Sequence, residues 1–483
     1  MNPPRDKIQF VLNDQIVTVD FNSNPELKPT TTVLNYLRSL PFHKGVKEGC
    51  AEGDCGACTV VIAENHEGKL IYKTIDSCLV FLPMIHGKQL ITLENLADSG
   101  VLHAVQQEMV NHNGSQCGYC TPGVVMSLFG LYKNHHKPER GIIEDSLTGN
   151  LCRCTGYQPI IKAAEHACSH VDTDKFTVHE TKIVSLLNEI SSTTSPIEII
   201  TASQEYFKPF TLADALLIRK NYPDATIIGG ATDTALRQTK KHELLPEILD
   251  ISNISELDYF VENENSYNFG SGLNLEKLKS LIAGKLPALH KMLQVFGSLQ
   301  IRNLATLGGN IASASPIGDM IPLLIAHKAK IKLQSVDNER IVPIEDFIKG
   351  YRLTDIHSDE LITEIEIPKP DSGDLVFSYK VSKRKGLDIA SVSGGFSLQL
   401  ENGTVKDIIL AFGGMASQTK RATQTEKFLY GKVWTRPMVE EAMEILAKEF
   451  VPLSDARASA EYRTLVARNL LLKFFSETST SGL

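Results

Sequence analysis

Cys50-Ala51-Glu52-Gly53-Asp54-Cys55-Gly56-Ala57-Cys58, with Cys78 downstream, sets thiols at x4 and x2 spacing in a glycine-rich loop. A second set follows as Cys117-x2-Cys120 and Cys152-x-Cys154. The two sets use eight of the chain's nine cysteines and crowd them into its N-terminal third. Four thiolates per set is what an iron–sulfur cluster requires. Two clusters side by side in one chain imply one-electron transfer over a distance.

Other readings of eight cysteines exist. Four disulfides would suit a small secreted protein, but this chain is large, and cysteines at x2 and x1 spacing rarely reach bridging geometry. Zinc tolerates a CxxC pair. The x4 gap followed by Gly56-Ala57-Cys58 favours a loop wrapped around a cluster, and the C-x4-C-x2-C…C spacing is that of plant-type [2Fe–2S] ferredoxins. Gly49, Gly53 and Gly56 suit a loop that aims backbone N–H groups at sulfur. Cys168 is left over and reads as a structural thiol on an apolar helix face.

At 483 residues the chain has length for about three domains. Its 42% hydrophobic and 22% charged residues are an ordinary globular balance. A net charge of −8 gives a nucleic-acid role no electrostatic support. No stretch approaches the roughly 20 apolar residues of a membrane helix. The N-terminal MNPPRDKIQF lacks the apolar core of a signal peptide, so a cytoplasmic location is expected.

Alternating apolar residues from Lys7 to Phe21 predict a hairpin about Asn13-Asp14. Val33, Leu34, Leu37 and Leu40 predict a helix ended by Pro41. Thr59–Ala63 and Lys69–Thr74 predict a second strand pair, which completes a β-grasp ferredoxin plan. From about Leu90 the pattern turns helical. Leu102–Val110 predicts a helix stopping at Asn113-Gly114, Thr121-Pro122 predicts another with Thr121 as N-cap, and Pro159 opens a third. The second cysteine set therefore sits at helix N-termini, where positive helix ends favour an anionic cluster. His170–Ser203 is polar and reads as a linker through Ser191–Pro196.

The remainder lacks cysteine and carries two glycine turns. Ile228-Gly229-Gly230-Ala231-Thr232-Asp233 follows a short apolar strand, and Thr306-Leu307-Gly308-Gly309-Asn310-Ile311 follows a segment rich in Gln and Arg. Neither has the G-x-G-x-x-G spacing of a dinucleotide fold. Each could be a plain turn, or a nest of backbone N–H groups suited to a pyrophosphate. Strands are expected at Phe377–Val381, Ser391–Leu400 and Asp407–Phe412, with helices to the end.

Cys117-Gly118-Tyr119-Cys120-Thr121-Pro122-Gly123 and Gly149-Asn150-Leu151-Cys152-Arg153-Cys154-Thr155-Gly156-Tyr157 resemble the second-cluster signature of the molybdenum hydroxylases. Leu307–Asp319 resembles that family's FAD signature, and Ile365–Pro368 and Phe412–Ala416 are similar to further family segments. Within the family, the order of parts most resembles the small subunits of bacterial xanthine dehydrogenases.

That resemblance implies a multidomain α+β fold. Its parts are a β-grasp [2Fe–2S] domain over 1–90, a helical-bundle [2Fe–2S] domain over 91–170 and a linker over 171–203. An α+β FAD-binding domain of vanillyl-alcohol-oxidase type follows over 204–370, then a C-terminal α/β flavoprotein domain over 371–483. All eight clustered cysteines become iron ligands. FAD lies along Ile228–Asp233 and Thr306–Ile311, through Ile228, Gly229, Gly230, Ala231, Thr232 and Asp233 and through Thr306, Gly308, Gly309, Asn310 and Ile311. Asp319 bonds the flavin's polar chain, Lys380 and the aromatic Phe296 lie beside its ring, and Ile362 is a backbone contact. Read alone, Phe296 and Ile362 are plain core residues, Lys380 a solvated charge and Gln116 a loop glutamine. By resemblance Gln116 faces a molybdenum cofactor held by a partner, and Asp388 and Ile389 approach a nicotinamide. The loop Val381–Ser391 is poor in acidic residues beside mammalian relatives.

The implied activity is that of the small subunit of an NAD-dependent xanthine dehydrogenase, with no catalytic residue for hydroxylation in this chain. Electrons from a large molybdenum-cofactor subunit pass through two [2Fe–2S] clusters to FAD and then NAD, in an assembly of two copies of each chain. The alternatives are a partner that oxidises an aldehyde or another N-heterocycle, and a stand-alone NADH-dependent iron–sulfur flavoprotein reductase.

Overall fold

A computed structural model describes residues 5–169, 173–192 and 195–480. These divide into two compact units, one of residues 5–254 and 298–305, the other of 255–297 and 306–480.

The first unit opens with the expected hairpin. β1 (Lys7–Leu12) and β2 (Gln15–Asp20) turn through Asn13 and Asp14, whose φ values of 51° and 60° are those of a type I′ turn. α1 (Val33–Ser39) starts at Thr32, whose hydroxyl accepts from the Asn35 N–H at 3.2 Å, and it buries Val33, Leu34, Tyr36 and Leu37. β3 (Thr59–His66) and β4 (Lys69–Asp76) pair antiparallel. β5 (Gln89–Ile91) then runs antiparallel to β3 and parallel to β1, giving the β-grasp order β2-β1-β5-β3-β4. The sequence pattern turned helical at this point because three residues are too few to show a strand's alternation.

Four helices follow: α2 (Ala104–Asn111), α3 (Thr121–Asn134), α4 (Arg140–Leu147) and α5 (Gln158–Ser169). α3 is buried continuously from Pro122 to Tyr132, as an apolar-all-round helix must be. Its Phe129 meets Tyr72 of β4 edge to face at 6.1 Å, which docks the bundle on the sheet. Thr121 is the first helical residue of α3, and the N-cap position falls to Cys120. The Thr121 hydroxyl instead lies 2.7 Å from that of Ser115, which ties down the loop carrying Cys117.

The polar stretch after His170 is not a bare linker. Lys175–Val178 and Glu180–Ser191 are helices. Ile183, Leu187 and Ile190 recur at spacings of four and three and enter the same core as Val61, Val105 and Phe129. The many polar residues around them hid that stripe. His170, Val171, Asp172, Thr193 and Thr194, part of the expected linker, lie outside the described residues.

The chain then adds strands Ile197–Ile200, Glu205–Lys208, Thr226–Ile228 and Glu247–Asp250. Their sheet has the last strand at its centre, parallel to Glu205–Lys208 on one side and to Thr226–Ile228 on the other. Lys208 and Asp250 are wholly buried and paired at 2.6 Å, and the Tyr206 hydroxyl donates to the same carboxylate oxygen. Leu299–Arg302 returns to this unit as a single helical turn.

The second unit holds two larger sheets and a two-stranded one of Ile348–Gly350 and Leu353–Thr354. The first is antiparallel and ordered Phe260–Glu262, Ser266–Gly270, Leu361–Pro368, Lys330–Gln334 and Glu339–Pro343. The second runs antiparallel through Leu375–Val381, Val392–Glu401, Thr404–Gly413 and Lys420–Arg421. Phe396, Phe412 and Phe474 pack among helices Thr423–Leu429, Arg436–Glu449 and Ala460–Thr480. Among the described residues, no helix is long and apolar enough to cross a membrane.

Candidate redox-cofactor sites

The cysteines of the two sets are free, and within each set they share hydrogen bonds pairwise. Cys50 pairs with Cys55 and Cys58 with Cys78, while Cys117 pairs with Cys154 and Cys120 with Cys152. Two thiolates for each of two irons is the demand of a [2Fe–2S] cluster. Four sulfurs gathered about one point would suit a single tetrahedral ion.

The surrounding backbone fits sulfur ligation. Cys50 Sγ accepts from the N–H groups of Glu52 at 3.4 Å and Asp54 at 3.3 Å. The bond to Cys55, together with these donors, holds the Cys50 thiol down to about 5. A Cβ at Gly49 would come within 2.7 Å of Cys55 Sγ, so the loop closes on its sulfurs only with glycine there. In the second set, burial works against ionisation of Cys152, but the Thr155 hydroxyl at 3.2 Å and nearby N–H groups keep that thiol below its ordinary range. The Tyr157 hydroxyl accepts the Cys152 N–H at 2.8 Å and braces the turn.

The two sets differ in burial. Cys58 and Cys78 are buried and Cys50 and Cys55 half-buried, whereas Cys117 and Cys154 are exposed. Gln116 is exposed beside them. One backbone hydrogen bond joins the two ligand loops, with the Leu151 N–H donating to the Cys55 carbonyl at 3.0 Å. Around it, the Asn150 amide donates to the Gly56 carbonyl at 3.2 Å and accepts from the Ser127 hydroxyl at 2.7 Å.

Sequence reading missed several residues of this seam. Gln300 is wholly buried and donates to Asn150 at 3.0 Å and to Ser127 at 3.2 Å. Arg302, also wholly buried, clasps Asp145 through two bonds of 2.8 and 2.9 Å. Both lie in the Gln- and Arg-rich run before the second glycine turn. Asp76 was missed too. Burial pushes its carboxyl up to about 7, and it lies 3.7 Å from Cys58 Sγ.

The first glycine turn belongs to the first unit. It leads from Thr226–Ile228 into the short helix Ala235–Thr239. The Thr239 hydroxyl donates to the Ala51 carbonyl at 2.8 Å, and Lys240 donates to the Cys50 carbonyl at 3.1 Å. A Cβ at Gly230 would collide with the Leu304 carbonyl and come within 2.9 Å of the Ala305 nitrogen. Ala231 has a φ of 58°, and Thr232 and Asp233 complete the turn half-buried and exposed. Among the described residues, no backbone carbonyl accepts from the N–H groups of Gly229, Gly230, Ala231 or Thr232. Such donors are what an anion nest offers.

The second turn, in the second unit, is built differently. Thr306 caps helix Leu307–Ala312 by accepting the Gly309 N–H at 3.1 Å. The N–H groups of Leu307, Gly308 and Asn310 go to Leu273, Ser271 and Thr306 carbonyls. Its donors are therefore spent internally, and what remains is close backbone approach. A Cβ at Gly308 would fall 2.8 Å from the Ser271 carbonyl, whereas one at Gly309 would meet only the Thr306 hydroxyl at 2.9 Å.

Also within the second unit, Lys380 pairs with Asp319 at 2.8 Å and donates to the Val295 carbonyl at 2.9 Å, next to the half-buried Phe296. Burial raises the Asp319 carboxyl above its ordinary range while Lys380 opposes the shift. Asp319 Oδ1 and Asn310 Oδ1 are buried without a partner, so each has a bond to offer a polar ligand. Ile362 is buried beside Leu333 in the first sheet of the unit, and Ile311 is buried in its helix. Asp388 is held by Arg384 at 2.7 Å, and Ile389 is half-exposed.

Three family descriptions match the chain in series. A [2Fe-2S] binding domain covers residues 92–165, the FAD binding domain in molybdopterin dehydrogenase covers 201–370, and the CO dehydrogenase flavoprotein C-terminal domain covers 377–478. The xanthine dehydrogenase of Emericella nidulans is 32% identical over 98% of this chain, which spans 38% of that protein. Carbon monoxide dehydrogenase from Hydrogenophaga pseudoflava matches 58% of this chain and 99% of its own, with 26% identity and a TM-score of 0.54. Quinoline 2-oxidoreductase from Pseudomonas putida 86 matches 58% of this chain and 98% of its own, at 26% identity and a TM-score of 0.53. The matched FAD domain is divided between the two units, with 201–254 and 298–305 in the first and the rest in the second. Paired cysteine sets joined through Asn150 and Leu151, glycine turns with unspent polar atoms and these serial matches make the chain a member of the molybdenum hydroxylase family, namely its iron–sulfur and FAD electron-transfer module.

Proposed function

We propose that this chain is the electron-transfer subunit of a xanthine dehydrogenase. In this reading a separate large subunit holds the molybdenum cofactor and oxidises hypoxanthine and xanthine to urate, and NAD takes the electrons from this chain. Cys50, Cys55, Cys58 and Cys78 hold one [2Fe–2S] cluster, and Cys117, Cys120, Cys152 and Cys154 hold the other. The FAD contacts are those the family resemblance implies, Ile228–Asp233, Thr306–Ile311, Asp319, Lys380, Phe296 and Ile362. When bound, the clusters carry single electrons and the flavin exchanges these for a hydride. The chain's own residues fix sulfur geometry, keep water from Cys58 and Cys78, and hold the two ligand loops together through Asn150 and Leu151.

One observation carries the direction of flow. The Cys50 loop is bonded to the helix that follows the first glycine turn, while Cys117 and Cys154 are open to solvent. An exposed cluster edge serves a partner, and a bonded one serves the chain's own cofactor. A groove of about 320 Å³ beside the exposed set is lined by Leu102, Met109, Val110 and Thr121, and the exposed Val101 adjoins it. An apolar surface of this kind is expected to be covered. The partner is therefore proposed to dock over Gln116 and this groove, as two copies of each chain in the cytoplasm.

The purified chain should oxidise NADH with artificial dyes on its own, whereas xanthine-dependent NAD reduction should appear only with the partner added. Xanthine turnover by this chain alone would overturn the reading. Likeness to quinoline 2-oxidoreductase supports a second reading, in which the partner oxidises another N-heterocycle. Substrate profiling of the assembled pair separates the two.

Denaturation should release FAD rather than FMN. A Gly230→Ala change drives a methyl group into the Leu304 carbonyl, where only backbone could move, so flavin content should fall at least about tenfold at a stability cost of about 1–3 kcal/mol. Absorbance at the flavin band after gel filtration reads the outcome, and full retention of yellow cofactor would count against the turn.

A further inference from the structure

Outside the cysteine sets, Glu108, His112 and His166 bring their ligand atoms within 4.8 Å of one another. Glu108 and His112 stand one turn apart at the end of α2, so both face the same way. His166 comes from α5, which packs against α2, and its ring centroid lies 4.3 Å from that of His112. Glu108 Oε2 is 3.1 Å from His112 Nε2 and 4.0 Å from His166 Nδ1. Donors bound to a tetrahedral ion at about 2.0–2.1 Å lie about 3.3 Å apart, so these separations close on an ion with small rotamer changes.

The surroundings resemble those of a ligated carboxylate. The other oxygen of Glu108 accepts from the Asn111 amide at 3.0 Å, and Asn111 in turn accepts from Gln107 at 2.9 Å. Outer hydrogen bonds of this kind orient a ligating carboxylate. Both imidazoles approach the same Glu108 oxygen, the arrangement that a shared ion would require. His166 is mostly exposed, which leaves a coordination position open to water.

We propose that Glu108, His112 and His166 bind a divalent transition-metal ion of zinc type. The site has a placement that gives it a use. α2 runs into the loop carrying Cys117 and Cys120, and α5 leaves the loop carrying Cys152 and Cys154. An ion shared by these helices ties together the two segments that supply the second thiol set, without touching a thiol.

The test uses the full chain carrying its clusters and flavin, dialysed first against a mild chelator and then against zinc chloride. One zinc per chain is expected, with a rise in melting temperature. X-ray absorption at the zinc edge should show imidazole nitrogen and carboxylate oxygen and no sulfur. His112→Ala and His166→Ala should each weaken binding by more than the about 10–100-fold that loss of an outer partner costs, and Asn111→Ala should fall in that outer range. His166 is exposed and Glu108 and His112 are half-buried, and unchanged cluster absorbance verifies that the variants fold. The proposal is overturned if no zinc is retained, if the edge spectrum shows sulfur, or if the double histidine variant binds zinc as tightly as the unaltered chain.

Discussion

Replacing Cys152 with serine is expected to remove one of two iron–sulfur signals and leave the other intact. The thiol is buried, is paired with Cys120 and bonded to Thr155, and its backbone N–H is held by Tyr157, so no other sulfur of the described residues can take its place. The ferredoxin-type set lies in another loop with its own N–H donors to Cys50. Low-temperature electron paramagnetic resonance of the reduced protein should therefore show two distinct spin systems before the change and one after it. Cys58→Ser should do the converse. Cys168→Ser is the control, because Cys168 is buried among apolar residues of α5 and should leave both signals unchanged. A single spin system in the unaltered chain, or loss of both in Cys152→Ser, would refute two independent clusters.

The cysteine loops were legible because a cluster imposes its own spacing on the sequence, and nothing else in the fold sets the x4, x2 and x1 gaps. The hairpin about Asn13-Asp14 was legible for the same local reason, since a two-residue turn needs residues that accept positive φ. β5 was not, because three residues carry no period. Its place at the centre of the sheet is set by pairing with strands more than twenty residues away on one side and about eighty on the other. Helix Glu180–Ser191 was hidden by its polar exposed faces, and only the stripe Ile183, Leu187 and Ile190 betrays it. The two glycine turns look alike as sequence, yet one leaves its N–H groups unspent and the other consumes them in a Thr306 cap. That distinction depends on Ser271 and Leu273, which are remote in the chain. Gln300 and Arg302 were unreadable for a related reason, because their partners Ser127, Asn150 and Asp145 are about 150 residues away.

The seam between the two cysteine loops is expected to fail on a change of one methyl group, Gly123→Ala. Gly123 sits in the first turn of α3, and a Cβ there would overlap the Gly56 carbonyl oxygen and come within 3.0 Å of its carbon and 3.3 Å of Ala57 Cα. All three are backbone atoms, so no flexible side-chain tip can yield. Gly56 cannot retreat, because on its far side a Cβ would already fall 2.5 Å from the Asn150 amide and 2.9 Å from Asn150 Cα. Overpacking of this sort costs about 1–3 kcal/mol, and the upper end applies where only main chain can move. The relief available is to part the loops, which lengthens the bond from Leu151 to the Cys55 carbonyl. Reduction by NADH should then reach the first cluster at an unchanged rate and the second at least about tenfold more slowly, an extra barrier of about 1.4 kcal/mol. Gly141→Ala is the matched control, since a Cβ there meets nothing within 4 Å and alanine in helix α4 should stabilise by about 0.5–1 kcal/mol. Freeze-quenched resonance spectra of both variants separate the cases, and equal rates in Gly123→Ala and Gly141→Ala would show that the seam does not carry the electron.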